Sequence, residues 1–249
     1  MTPELGLLLL GAAVAGFVQG LSGFAFGMVA MSFWVWGVEP RVAAVMAVFG
    51  SLTGQVVAAV SSRRGLRLGT LAPFLAGGAV GIPLGIAVLP LLNADLFRLV
   101  LGGVLVVFCP TMLLAPSLPK VARGARAGDA LAGAVGGFMG GIGGFTGVVP
   151  TLWCTLRGMA KDEQRAVIQN FNLAALAFTM AGYVASGLVT RDLWPLMPLV
   201  ALALLVPSLL GARLYVGLSE LAFRRLVLSL LTLSGLAMLW AALPRLLHG

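Results

Sequence analysis

The sequence predicts an all-α polytopic membrane protein of two inverted four-segment repeats, the first segment of each broken or re-entrant at a glycine-rich motif. Three observations carry this. The chain of 249 residues is 60% hydrophobic and only 10% charged, where a soluble domain has about 45–50% and about 25%. Its apolar residues fall into eight runs separated by short polar breaks. Those runs then repeat themselves at half the chain length.

In the first half the runs are Leu5–Trp36, Val42–Val60, Leu68–Leu92 and Leu96–Pro116; in the second they are Ala130–Leu156, Ala166–Val189, Leu193–Leu218 and Leu221–Leu243. At roughly 20 apolar residues per crossing, the chain is used up by about eight segments. The breaks, among them "SSRRGLR", "PKVARGARAGD" and "RGMAKDEQR", are too short to be linkers between domains. A single transmembrane domain over residues 1–249 is expected, with repeat one at about 5–116, repeat two at about 130–243 and a cytoplasmic linker at about 117–129. The apolar start has no basic region ahead of it and runs past any cleavage site, so it reads as retained.

The repeat shows in the residues. "AGFVQGLSGFAFG" (15–27) aligns with "GGFMGGIGGFTGV" (136–148) at an offset of 121, which puts Gly16, Phe17, Gly20, Gly23 and Phe24 on Gly137, Phe138, Gly141, Gly144 and Phe145. At an offset of 126, Gly85, Phe97 and Arg98 fall on Gly211, Phe223 and Arg224. Duplicated halves are a recurrent transporter design.

The opening run of each half has an unusual length. Leu5–Trp36 is 32 residues without a charge, about 48 Å as one helix against a hydrocarbon core of about 30 Å. Six of the fourteen residues in "GFMGGIGGFTGVVP" (137–150) are glycine, and each costs a helix interior about 1 kcal/mol relative to alanine. A break in each run would leave arms of about 11–14 residues that reach mid-membrane and return. Close helix packing accounts for a stripe such as Gly133, Gly137 and Gly141. It does not account for Gly140, Gly141, Gly143 and Gly144 together, which point all round a helix.

Charge placement favours the break. With all eight runs crossing, the sixteen Lys and Arg divide eight to eight; with runs one and five re-entrant, twelve share one face and only Arg41, Arg98, Arg191 and Arg245 lie on the other. The richer face is then cytoplasmic. Three crossings per half invert the second half relative to the first. The net charge of +8 belongs to this orientation and to lipid headgroups, so the bilayer, not nucleic acid, is the expected partner.

Irregular backbone at membrane depth must be buried in protein or line a polar cavity. A helix that starts at such a tip points free N–H groups and the positive end of its dipole at the membrane centre, which suits an anion. Pro150 fits the first turn of that helix. The residues expected to bind are therefore Gln19, Gly20, Ser22 and Gly23 of the first tip and Gly141, Gly143, Gly144 and Thr146 of the second. Asn170 and Asn172 of "AVIQNFNLA" and Arg213 of "LGARLYVG" join them as polar groups inside apolar runs.

Enzymatic readings fail on missing partners. "GLSG" (20–23) offers Ser22, but the only histidine, His248, is in the tail, and a nucleophilic serine needs a base within reach. The glycine run lacks the Gly-Lys-Ser/Thr ending of a phosphate loop. Cys109 and Cys154 form no Cys-x-x-Cys and read as buried small hydrophobes. No catalysis, cofactor or metal is expected. All eight acids lie at run edges, so anion movement is expected to need no titrating side chain in the core.

The pair "GFVQGLSGFAFG" and "GFMGGIGGFTG", each opening a half of about 125 residues, resembles the sulfite exporter TauE/SafE family, also called the toluene-sulfonate uptake permease group. "EPRVAAVMA" and "KDEQRAVIQNFN" follow the motifs as in that family. The resemblance covers Leu5 to Leu243. It implies a multi-pass secondary transporter of the bacterial inner membrane for a small sulfur-containing anion, sulfite or an organosulfonate, moved outward. An anion channel of the same fold and a non-transporting scaffold are the alternatives, and homo-oligomerisation is left open. The first half departs from the pattern at Phe24-Ala25-Phe26 and lacks a counterpart of Pro150.

Overall fold

Short charged or proline-bearing segments punctuate the apolar runs, and the helices begin where those segments allow. The computed structural model describes the backbone of residues 3–22, 25–61, 65, 68–114, 125–214 and 220–248. The described residues form ten α-helices and a short 3-10 turn at Leu89–Leu91. In the first half these are α1 (Pro3–Ser22), α2 (Phe26–Trp34), α3 (Pro40–Ser61), α4 (Leu68–Val88) and α5 (Ala94–Leu114). In the second they are α6 (Ala125–Gly143), α7 (Val148–Leu156), α8 (Lys161–Ala185), α9 (Leu196–Leu214) and α10 (Glu220–His248). Pro3 and Pro40 stand at first helical positions, where a missing N–H costs nothing. Asn93 caps α5 by accepting from the Leu96 amide at 2.8 Å. Asp162 and Glu163 occupy the first turn of α8, matching its dipole.

Among the described residues six helices are long and apolar enough to cross a membrane, four in the first half at Pro3–Leu21, Pro40–Val60, Leu68–Leu91 and Ala94–Leu114 and two in the second at Asp162–Ala185 and Val227–Pro244, while the apolar stretch of α9 at Leu196–Gly211 is shorter. The outer surface suits hydrocarbon, with Val60, Val107, Leu131 and Trp240 all exposed. At the centre stands α3. Its six consecutive residues Ala43–Val48 are all fully buried, so this stretch is enclosed on every face.

The packing is reciprocal between halves. Helix α4 lies along α6 and α9 along α1, while α5 meets α10 and α3 meets α8. Helix ends recur in step: α1 and α6 end 121 residues apart, and α3 and α8 begin 121 residues apart. The close contacts recur as well. Gly85 lies against the Phe138 carbonyl, and Gly211 lies against the Phe17 carbonyl. Gly85 and Gly211 correspond in the sequence repeat, as do Phe17 and Phe138.

The two opening runs are not divided into equal arms. Helix α1 has 20 residues and α2 has 9; α6 has 19 and α7 has 9. Most glycines of these runs stay helical because they serve packing. Gly133, Gly137 and Gly141 face the backbone of α4 at Phe74, Gly78 and Ile82, while Gly16 faces Leu204 of α9. Helix α6 ends only where Gly144 leaves αR conformation, with φ 79°.

Candidate functional site: two hairpin tips around a neutral polar cavity

Each short helix folds back along the long one before it, and an indole fastens each pair. Trp34, at the end of α2, donates its N–H to the Leu8 carbonyl at 3.0 Å, and its ring fills the space above Gly11. Trp153 of α7 donates to Asp129 Oδ1 at 2.8 Å and covers Gly128. Arg157, just past the end of α7, adds a two-oxygen contact to the same carboxylate at 2.7 and 2.9 Å. A cation there also complements the helix dipole.

The backbone turns differ in residue but not in sign of φ. Gly144 has φ 79° and Ala25 has φ 80°, the latter the one left-handed non-glycine among the described residues. A left-handed alanine costs roughly 1–2 kcal/mol. The tips touch: a Cβ on Gly27, in the first turn of α2, would lie 3.3 Å from the Gly144 carbonyl oxygen and 3.4 Å from Ser51 Oγ. Neither N-cap residue, Ala25 or Gly147, makes a side-chain bond to its helix start, although on α7 the Val148 amide donates to the Phe145 carbonyl at 3.3 Å.

Between the tips lies a cavity of about 40 Å³. At about 10–15 Å³ per water on the same measure, it has room for roughly three waters, the scale of a compact oxyanion. The first turns of α2 (Phe26, Gly27, Met28) and α7 (Val148) border it, with the turn residues Ala25 and Gly144. Its polar side chains are Gln19, Ser51, Gln55, Thr146 and Asn172. All five are buried, and all are uncharged. Phe108, Phe145 and Leu176 supply apolar walls.

Of the residues expected from the sequence, Gln19, Gly144, Thr146 and Asn172 meet at this cavity. Thr146 donates to Asn172 Oδ1 at 2.9 Å, joining the second tip to α8. Gln19 lays its amide across Gly54 of α3. The others stand elsewhere. Gly141 packs on α4 and accepts the Tyr183 hydroxyl at 2.8 Å through its carbonyl. Gly143 lies under the Phe145 ring, and Gly20 is half-buried on α1 away from the cavity lining. Asn170 donates to the Gly65 carbonyl at 3.2 Å at the protein surface. Gly23 and the side chains of Ser22 and Arg213 lie outside the described residues.

Ser51 and Gln55 are the cavity residues that sequence reasoning missed. They sit four apart in "GSLTGQ" on α3, one above the other on a single helix face. That spacing inside an apolar run was the available signal.

No curated protein and no solved structure matches the chain. A family model described as "Sulfite exporter TauE/SafE" matches residues 8–238. Both hairpin tips, the enclosed α3 and the cavity they share fall inside that span, and the chain belongs to the sulfite exporter TauE/SafE family.

Proposed function

We propose that this chain is a secondary transporter that carries a small sulfur-containing oxyanion, sulfite or an organosulfonate, outward across the bacterial inner membrane. The anion is held at mid-membrane between the two hairpin tips. One observation carries the reading: the first turns of α2 and α7, neither capped by a side chain, border one buried and uncharged polar cavity. The first N–H groups of a helix have no partner within it, and its dipole favours negative charge there. On α7 the Val148 N–H already bonds the Phe145 carbonyl and Pro150 has none, so α7 acts mainly through its dipole, and the first turn of α2 is the richer source of amides. Neutral donors of this kind hold an anion without fixing a counter-charge that must be broken for release. Membership of a transporter family, with six helices able to cross, makes the chain a multi-pass membrane protein.

The reciprocal packing of α4 on α6 and α9 on α1 supports an inverted repeat within one transmembrane domain. In that arrangement hairpin one opens outward and hairpin two opens to the cytoplasm. Helix α1, at about 30 Å, must then tilt or extend past the hydrocarbon to place its tip at mid-membrane. The membrane potential drives an anion outward at about 2.3 kcal/mol per charge per 100 mV, with no titrating group required in the cavity.

The test is flux into proteoliposomes with sulfite, sulfate and an alkyl sulfonate, for the unaltered chain and for Gly144→Leu. Saturable sulfite flux with counter-transport is expected, and Gly144→Leu should abolish it. Flux that is unchanged by that substitution, or that vanishes without a proton gradient under clamped voltage, overturns the reading.

A further inference from the structure

A second, smaller cavity shares one lining residue, Phe145, with the polar one. It measures about 10 Å³ and is lined by Phe97, Val100, Leu101 and Val104 of α5, by Met139 and Ile142 of α6, and by Phe145. Every lining side chain is apolar. A void so lined stays dry, so it is space that an apolar group can enter without displacing bound water. Phe145 is also a wall of the polar cavity.

The two chambers are stacked along the same helices. On α5, positions 97, 100, 101 and 104 lie on one stripe, and Phe108 continues it into the polar cavity one turn later. On the other side, Met139 and Ile142 line the apolar chamber, and the residues from Gly144 to Val148 line the polar one. The chain crosses from one chamber to the other at Phe145. Its ring is seated by the absence of a side chain at Gly143, where a Cβ would stand 2.7 Å from Cε2 and 3.1 Å from Cζ.

We infer that Phe145 sets which anions the site accepts, acting as a partition that limits the polar cavity to compact head groups. Resting on the anion-site reading above, the inference makes Phe145 a specificity-determining residue whose ring fills, together with the small apolar chamber behind it, the space an alkyl tail would need. Removing the ring joins the chambers end to end, so an anion with a short alkyl tail gains a place for it.

The experiment measures sulfite flux in proteoliposomes with methanesulfonate, propanesulfonate and hexanesulfonate as competitors. In the unaltered chain, inhibition should weaken at least tenfold from methane- to propanesulfonate. Phe145→Ala should erase or reverse that order, read as competitor rank against each variant's own sulfite flux. Adding Val104→Phe, which refills only the apolar chamber, should restore it. Phe145→Leu should give an intermediate profile and serves if the alanine variant does not survive purification. An unaltered chain-length profile in sulfite-transporting Phe145→Ala or Phe145→Leu overturns the partition and leaves the anion site standing. Absence of sulfite flux in the folded, unaltered chain overturns both.

Discussion

Thr146 reaches from the second hairpin tip to α8 and donates its hydroxyl proton to Asn172 Oδ1 at 2.9 Å. Both residues are buried, and both line the cavity. With its oxygen engaged, the amide has only its NH₂ group left to offer as a donor to an anion. Thr146→Val keeps the shape of the side chain and removes the hydroxyl that orients Asn172. Loss of one such hydrogen bond is worth about 1 kcal/mol in stability. Sulfite flux below saturation should fall about tenfold, equivalent to about 1.4 kcal/mol of binding, and Thr146→Ser should restore most of it. Initial-rate flux measurements on the two variants check this.

Each tip holds a left-handed residue, at positions that do not correspond in the repeat. Ala25 holds φ 80° with a side chain, whereas Gly144 holds φ 79° without one. Ala25→Gly relieves a left-handed cost of roughly 1–2 kcal/mol and adds back about 0.5–1 kcal/mol of chain entropy. A net gain of up to about 1.5 kcal/mol is expected. Gly144→Ala should lose up to about 1.5 kcal/mol by the same balance, for conformational reasons, since a Cβ there meets Val48 only at an ordinary 3.4 Å. Thermal unfolding of both variants in detergent should move in opposite directions.

How far the sequence could be read depends on which residues are asked about. The half-length repeat was legible because Gly85 and Gly211 are held to glycine by carbonyls of Phe138 and Phe17, which are themselves repeat partners. The polar group at the second tip was legible from glycine density and the hydroxyl of Thr146. The choice between Asn170 and Asn172 was not. Residues two apart on a helix point about 200° apart, so only one can face the tip, and the pattern does not say which. Arms of about 11–14 residues do not form, because packing against α4 and α9 keeps Gly16, Gly133, Gly137 and Gly141 within the long helices. Arg157 read as a loop charge, although its partner Asp129 lies buried 28 residues earlier.

That ion pair makes a prediction of its own. The side chain of Asp129 is 4% exposed and that of Arg157 is 23%, so the pair is neither a surface bridge nor fully desolvated. Breaking a buried pair costs about 3–5 kcal/mol, and partial exposure of Arg157 places Asp129→Ala near the lower end. A melting temperature lower by roughly 6–12 °C follows at 2–4 °C per kcal/mol for a chain of this size. Asp129→Asn keeps an acceptor for the Trp153 N–H and should lose less. Equal melting temperatures for the unaltered chain and Asp129→Ala would show that the pair does not hold α7 to α6.

The inverted arrangement has a direct labelling test. Glu39 follows α2 and Ala160 follows α7, each exposed and each one residue before the next helix. They are 121 residues apart and so occupy matching positions in the two halves. Were the halves parallel, cysteines at both positions would face the same side. In the inverted arrangement they face opposite sides, because three crossings per half is an odd number. Replacing Cys109 and Cys154 first removes two buried thiols that could confuse the readout. In intact cells a membrane-impermeant maleimide should then label Glu39→Cys, and it should label Ala160→Cys only after the membrane is opened. Labelling of both from one side would remove the inversion. The two helix starts could then no longer share a tip-to-tip anion site across a two-fold axis in the membrane plane.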